Sequence, residues 1–148
     1  MKLTLTAAAL ALVLGAPAHA DGPVTTTVSG AFDDVQFDIE TAITDAGLVI
    51  DAVNKVGEML ERTREDVGGT EVLFTHAQVF NFCSAVVSRQ VMEADPMNLQ
   101  HCPYAIFVAE RPDAPGEIIV GRRAYPAGAM DAVGALLDGI ISDALSGY

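Results

Sequence analysis

Residues 104–122 have the sequence YAIFVAERPDAPGEIIVGR, in which two apolar runs flank a short turn-forming segment. The runs Tyr104 to Glu110 and Glu117 to Arg122 are rich in β-branched and aromatic side chains, which favour strands. The segment 111–116 contains two prolines and a glycine, and these residues favour turns because of their special backbone angles. The stretch therefore predicts a β-hairpin, whose two strands must be antiparallel.

Strand and helix patterns alternate along the rest of the chain. Further strands are predicted at 24–29, 48–53 and 77–82, and helices with one apolar face at 32–46, 58–66, 85–93 and 133–144. Residues 96–103 are expected to form a loop, because Asp95-Pro96 stops the preceding helix. A hairpin combined with one-sided helices predicts a single α+β domain, an antiparallel sheet with the helices packed on one face.

Three phenylalanines of the predicted strands bear on the other face of this sheet. Phe80, Phe82 and Phe107 are too apolar for every outward position to be solvated. We therefore expect a second copy of the chain to cover that face, which makes the protein a homodimer.

The first twenty residues have the features of a secretory signal peptide. Lys2 is their only charge, Ala7 to Leu14 is a continuous apolar run, and Ala18-His19-Ala20 is a small-residue cleavage site. No cysteine near residue 20 could carry a lipid. We expect a mature domain of residues 21–148 in the periplasm or outside the cell, with no membrane anchor after cleavage.

The charge of the chain excludes nucleic acid as a partner. It contains 8 Lys+Arg and 20 Asp+Glu, a net charge of −12, and loss of Lys2 with the signal peptide makes this −13. Nucleic-acid binders need a basic face, which so few cations cannot form. The hydrophobic fraction of 51% excludes a disordered acidic tail. The expected partner is an unknown protein or small molecule that is cationic or neutral, or a metal ion.

The two cysteines, Cys83 and Cys102, allow two interpretations. In an oxidising compartment the default is a structural disulfide, which would need no cofactor. The alternative is a thiol site or a copper site, since Cys83 begins a predicted helix, a position that favours the thiolate. Cys102, His101 and Met97 are soft or borderline ligands that suit copper, although their spacing matches no strong metal-binding template.

No catalytic constellation stands out in the sequence. It lacks a GxSxG motif and a glycine-rich phosphate loop, and Cys83 as a nucleophile is the weaker alternative. Arg122 and Arg123 are the only adjacent cations. They either bind an anion or a partner's carboxylate, or pair with the protein's own acids. We therefore expect a non-catalytic binding or interaction module rather than an enzyme.

A set of spaced motifs resembles a known bacterial family. They are Phe82-Cys83-Ser84-Ala85, Met92-x-x-Asp95-Pro96-x-Asn98 and Cys102-Pro103-Tyr104-x-Ile106-x-Val108. With the early strand and helix of residues 24–47, they resemble the domain-of-unknown-function family 302, in its exported two-cysteine subgroup. The resemblance implies an α+β domain similar to the TATA-binding-protein-like fold and a tendency to dimerise. It implies no activity, cofactor or catalytic residue.

Overall fold

The computed structural model describes residues 22–148, so the predicted signal peptide of residues 1–20 lies outside the described part. Within that part the chain forms five strands, four α-helices and one 3₁₀ helix. In chain order they are β1 (Val24–Ser29), α1 (Phe32–Asp45), β2 (Val49–Asn54), α2 (Val56–Thr63), β3 (His76–Cys83), α3 (Ala85–Ala94), the 3₁₀ helix (Pro96–His101), β4 (Tyr104–Glu110), β5 (Glu117–Arg122) and α4 (Asp131–Ala144).

The strands form one antiparallel sheet in the order β1-β5-β4-β3-β2. The predicted hairpin of β4 and β5 is present, with Val108 opposite Val120. On its other side β4 pairs with β3, with Ile106 opposite Phe80. The hairpin is therefore the centre of the sheet, and the α+β prediction is confirmed.

The hydrophobic core lies on one face of the sheet. Alternate residues of the three central strands are fully buried there: Phe80, Phe82, Tyr104, Ile106, Val108, Ile118 and Val120. Three helices complete the core from above, α1 through Val35, Ile39 and Ile43, α3 through Val91, and α4 through Val133 and Leu137. Burial of each such side chain contributes about 1.5–3 kcal/mol, so this single interface accounts for most of the fold's cohesion.

The expectation that the three phenylalanines share the uncovered face was wrong. Phe80 and Phe82 lie under the helices, and Phe107 alone of the three lies on the opposite face, half-buried. A Cβ at Gly121 would lie 2.6 Å from Cζ of Phe107 and 2.8 Å from Cγ2 of Thr25. The missing side chain therefore lets the Phe107 ring lie across β5.

The segment expected to be a loop is partly helical. Residues 96–101 form a 3₁₀ helix in which the Asp95 side chain accepts a hydrogen bond from the backbone N–H of Met97 at 2.9 Å. Pro96 suits its first position, because the fixed φ of proline matches a helix start. Asn98 donates to the carbonyl oxygen of Val91 at 2.9 Å and ties this turn to α3.

Helix boundaries otherwise follow the sequence closely. α3 begins after Ser84, whose Oγ accepts a hydrogen bond from the backbone N–H of Val87 at 3.3 Å, as a cap does. α2 begins two residues earlier and ends three residues earlier than the 58–66 helix predicted from the sequence. No helix in residues 22–148 has the length and hydropathy needed to span a bilayer.

Two glycines give opposite predictions for the free energy of unfolding. Gly121→Ala should lower the free energy of unfolding by about 1–3 kcal/mol, because the new methyl overlaps Phe107 and the backbone of β1. Gly139→Ala, on an open side of α4 with nothing within 4 Å, should raise it by about 0.5–1 kcal/mol. Thermal unfolding of both variants checks the pair. An unchanged melting temperature for Gly121→Ala would contradict the close approach of Phe107.

Candidate functional site

A disulfide joins Cys83, the last residue of β3, to Cys102, which lies between the 3₁₀ helix and β4. The two Cα atoms are 6.6 Å apart and 19 residues apart in sequence, so the bond closes a loop containing α3 and the 3₁₀ helix. Both residues are half-buried. The first of the two interpretations of this pair is therefore the one found.

An aromatic cluster lies beside the disulfide. The ring of Tyr125, in the segment between β5 and α4, meets the His101 ring edge-on with centroids 5.7 Å apart. It meets the Tyr104 ring in the same way at 6.3 Å, and the Tyr104 hydroxyl is hydrogen-bonded to Oγ of Ser88 at 3.1 Å. Sequence reasoning missed Tyr125, because its neighbours become close only through the tertiary fold.

The hydroxyl of Tyr125 is buried without a hydrogen-bond partner among the described residues. Burial raises the pKa of this hydroxyl, and the positive charge of Arg123 opposes the shift. Tyr125 therefore stays neutral in this environment, and it packs as an aromatic wedge between the disulfide corner and the end of β5.

The strongest polar contact is a two-pronged ion pair between β5 and α4. Nε and Nη2 of Arg122 donate to the two carboxylate oxygens of Asp138 at 2.6 and 2.7 Å, and Nη1 donates to the carbonyl oxygen of Arg123 at 3.0 Å. The hydrogen bond with Asp138 raises the pKa of Arg122, and the same bond lowers the pKa of Asp138. A Cβ at Gly134 would lie 3.4 Å from Nη2, so the glycine allows the guanidinium to lie close against α4.

The sequence-predicted site residues fall into three places. His101 and the disulfide flank Tyr125, Arg122 pairs with Asp138, while Met97 is 68% exposed on the 3₁₀ helix. Within residues 22–148 no three His, Cys, Asp or Glu side chains form a metal-binding group. Both cysteine sulfurs are in the disulfide, so the copper and nucleophile hypotheses each require the reduced protein.

A groove of about 440 Å³ opens between β1 and α4, on the same face as the core. Four apolar residues, Val24, Val120, Ile141 and Leu145, line it together with five polar ones, Thr25, Thr26, Asp138, Ser142 and Ser146. Asp138 is its one ionisable lining residue, and that carboxylate is already paired with Arg122. The groove is thus a surface of mixed polarity, with four apolar side chains, that the helices leave open.

The edge of the sheet beside this groove is unprotected. β1 pairs with β5 over six consecutive residues without a bulge, and its sequence, VTTTVS, contains no charge and no proline. The opposite edge, β2, carries a bulge between Ile50 and Ala52 and a charged residue, Asp51. Bulges and charges usually protect an edge strand from pairing with another strand, and β1 has neither.

The backbone groups that β1 presents to this edge follow from the ladder. Gly30 N–H donates to the carbonyl oxygen of Gly116 at 3.1 Å, which continues the β1–β5 register as a hydrogen-bonded pair. Because such pairs alternate along an antiparallel ladder, Thr25, Thr27 and Ser29 direct their N–H and C=O groups away from β5. These three residues make the open edge.

Comparison with known proteins identifies the family. The sequence profile of the domain of unknown function DUF302 matches residues 24–134, three quarters of the chain. The chain belongs to the DUF302 family. The match covers the whole sheet and extends into α4, so it includes the β1 edge, the disulfide and Arg122 of this DUF302 protein.

A solved structure supports the fold of this DUF302 domain. The crystal structure of an uncharacterized conserved DUF302 protein from Bacillus stearothermophilus is similar, with a TM-score of 0.57 and 16% sequence identity, over 84% of this chain and 90% of that chain. At this identity the likeness shows the fold alone. No curated protein matches the chain.

Loss of the disulfide should lower the stability of the DUF302 domain. For a loop of this length the chain-entropy treatment gives about 3 kcal/mol, so Cys83→Ser should lower the melting temperature markedly. Thermal unfolding with and without reductant, together with an intact mass that shows a two-hydrogen deficit, measures this. The double variant Cys83→Ser/Cys102→Ser is the control, and reductant should not affect it. A melting temperature that changes neither on reduction nor on mutation would contradict a stabilising role for the disulfide.

The ion pair makes a second prediction, with a defined pH dependence. Asp138→Asn should lower the free energy of unfolding by about 1–2 kcal/mol at neutral pH, because the buried guanidinium loses its charged acceptor. The folded-state pKa of Asp138 lies below its ordinary value of 3.8, so the contribution is complete above that pH and is lost as the pH falls below it. The difference in free energy of unfolding between wild type and variant should therefore disappear only in acid.

Asp143→Asn is the matched control for this ion pair. It makes the same change of charge on the same helix at an exposed position without an ion pair. Chemical denaturation of the three proteins across the acid range separates the two effects. Equal losses for both variants would show that the net charge, and not the contact with Arg122, is responsible.

Proposed function

We propose that this DUF302 protein is an exported, non-catalytic binding module, and that its binding surface is the open β1 edge together with the groove between β1 and α4. The observation that carries the proposal is the combination of an uncharged, unbulged edge strand with an open, partly apolar groove directly beside it. Either feature alone is common on proteins. Together they provide the two parts of strand-addition recognition.

The geometry supports an extended polypeptide segment as the partner. A segment lying along β1 would exchange backbone hydrogen bonds with Thr25, Thr27 and Ser29, which point toward the edge. Every second side chain of the segment would then lie on the core face, above the apolar groove. Backbone bonds would supply affinity, and the groove would select apolar side chains at alternate positions.

The charge of the chain further restricts which polypeptide segments can be partners. With a net charge of −13 for residues 21–148, the protein repels acidic segments at long range. The edge itself carries no charge, and the acid in the groove is paired with Arg122. The favoured segment is therefore apolar at alternate positions and neutral or cationic elsewhere.

Export agrees with the disulfide and with the sequence of residues 1–20. Disulfides persist in oxidising compartments, and the Cys83–Cys102 bond suits the periplasm or the cell exterior. The signal-like features of residues 1–20 point to the same compartment. If the signal peptide is removed on export, the intact mass of the protein recovered from that compartment should equal that of residues 21–148.

A selection from a random peptide library tests the binding function. Thr27→Pro removes an N–H that faces the open edge and leaves the β5 ladder intact, whereas Thr27→Val keeps that N–H. We expect selected peptides with alternating apolar residues to bind wild type and Thr27→Val equally. We expect them to bind Thr27→Pro about tenfold more weakly or worse. Equal binding to all three proteins, or a selection without alternating peptides, would refute the proposed surface.

A thiol- or copper-responsive protein is the second candidate function. The disulfide supports it, because both cysteines are half-exposed and His101 precedes Cys102 directly. Reduction would free two sulfur ligands beside an imidazole, a donor set that suits copper. Reduced protein dialysed after loading should then retain copper, and His101→Ala should abolish this retention. Complete loss of copper from the reduced wild type would remove this candidate.

A further inference from the structure

We propose that the groove beside β1 selects a tyrosine of the bound segment, at the position directly opposite Thr26. This inference rests on the proposed binding surface and names the side chain that its groove accepts. The ring of that tyrosine would pack on the apolar part of the lining, and its hydroxyl would bond to the hydroxyls of Thr26 and Ser142. The partner is therefore an extended segment with a tyrosine among its groove-facing residues.

The register of the edge determines which residue of the segment enters the groove. Thr26 lies opposite Val120 in the β1–β5 ladder, and both residues line the groove. Because Thr25 and Thr27 turn their backbone groups to the open edge, an antiparallel segment would form a non-hydrogen-bonded pair at Thr26. Side chains approach closely in such a pair, with Cβ atoms about 4.5–5.5 Å apart. The segment residue opposite Thr26 lies on the same face of the sheet as Thr26, and its side chain enters the groove.

The apolar part of the lining suits an aromatic ring. Val24 and Val120 come from the sheet, and Ile141 and Leu145 lie one helical turn apart on the other wall. Ile141 and Leu145 are half-buried against the core, whereas Val24 is 43% exposed. A side chain in the groove would therefore cover apolar surface that now faces solvent. Aromatic side chains bury the largest such area, about 150–250 Å² each.

Two hydroxyls of the lining are free to bond to a ligand. The Ser146 hydroxyl already donates to the carbonyl oxygen of Asp143 at 2.9 Å. The hydroxyls of Thr26 and Ser142, one on each wall of the groove, take part in no hydrogen bond among residues 22–148. A phenol can donate to one of them and accept from the other. A ring without a polar group would shield both hydroxyls from water and replace neither hydrogen bond.

The charges at the groove favour a neutral polar group over a cation. Asp138 lines the groove and its side chain is 52% exposed, so it is accessible to a lysine. Its two oxygens already accept from Nε and Nη2 of Arg122 at 2.6 and 2.7 Å. An ammonium at this carboxylate would also approach the guanidinium, and repulsion between the two cations would offset the attraction. A phenol carries no charge, so it avoids both this repulsion and the cost of desolvating an ammonium.

Guest peptides and two matched threonine variants test the inference. The host is a synthetic peptide of alternating valine and threonine, whose central valine is replaced by tyrosine, phenylalanine or lysine. In titration calorimetry, wild type should bind the tyrosine peptide about three- to tenfold more tightly than the phenylalanine peptide, as one net hydrogen bond would give, and the lysine peptide more weakly than the tyrosine peptide. Thr26→Val and Ser142→Ala should each reduce the preference for tyrosine, and the double variant should abolish it. Thr27→Val, the same substitution on the outer face, should keep it.

The possible results distinguish this inference from the proposed function. Equal affinities for the tyrosine and phenylalanine peptides, tighter binding of the lysine peptide, or a tyrosine preference that survives in Thr26→Val/Ser142→Ala would overturn the inference. The binding surface would still stand in each case if Thr27→Pro weakened the binding of every peptide. If no peptide bound wild type, or if Thr27→Pro bound all of them as tightly as wild type, both proposals would fail. Circular dichroism spectra and melting temperatures show that each variant is folded.

Discussion

The bidentate contact of Arg122 with Asp138 fixes the register of α4 on the sheet, to which the helix is already packed through Val133, Leu137 and Ile140. A guanidinium that is only 9% exposed must keep a charged acceptor, because burial without one would cost several kcal/mol. The contact fixes the middle of α4 at the end of β5, and Gly134 lets helix and guanidinium approach closely. The sheet continues one strand further, to β1. The groove is the space between that strand and the fixed helix, so its position follows from the ion pair.

The same contact explains why the groove can offer apolar side chains without a free charge although the protein is strongly acidic. Asp138 is the one acid that lines the groove, and Arg122 neutralises it from the side of the core. A free carboxylate at that position would disfavour any apolar side chain, since desolvating an unpaired charge is costly. The pair thus combines two tasks, holding α4 and removing a repulsive charge from the surface beside β1.

Most of the fold was predictable from local patterns in the sequence. The hairpin of β4 and β5 was predictable because alternation and turn residues are encoded within 104–122, and the Ser84 cap because it acts over three residues. The face assignment of Phe80 and Phe82 failed, because alternation within a strand does not show which face of the sheet the helices will cover. Pairing of Arg122 with one of the protein's own acids was expected, but its partner Asp138, the wedge formed by Tyr125 and the groove were not predictable, for a similar reason. Each of them joins residues from different elements, and no local pattern in one element specifies a neighbour in another.

The disulfide and the proposed binding edge lie in different parts of the sheet. The disulfide constrains the end of β3 and the start of β4, whereas the open edge lies on β1, beyond β5. Tyr125 connects these two parts of the sheet. Its ring packs against His101 beside the disulfide, and its own segment follows Arg122 at the end of β5. An edge strand left without charge or bulge is prone to unspecific pairing unless the rest of the sheet is rigid. The disulfide joins the end of β3 to the start of β4, two of the core strands, so pairing at the proposed β1 edge need not separate them.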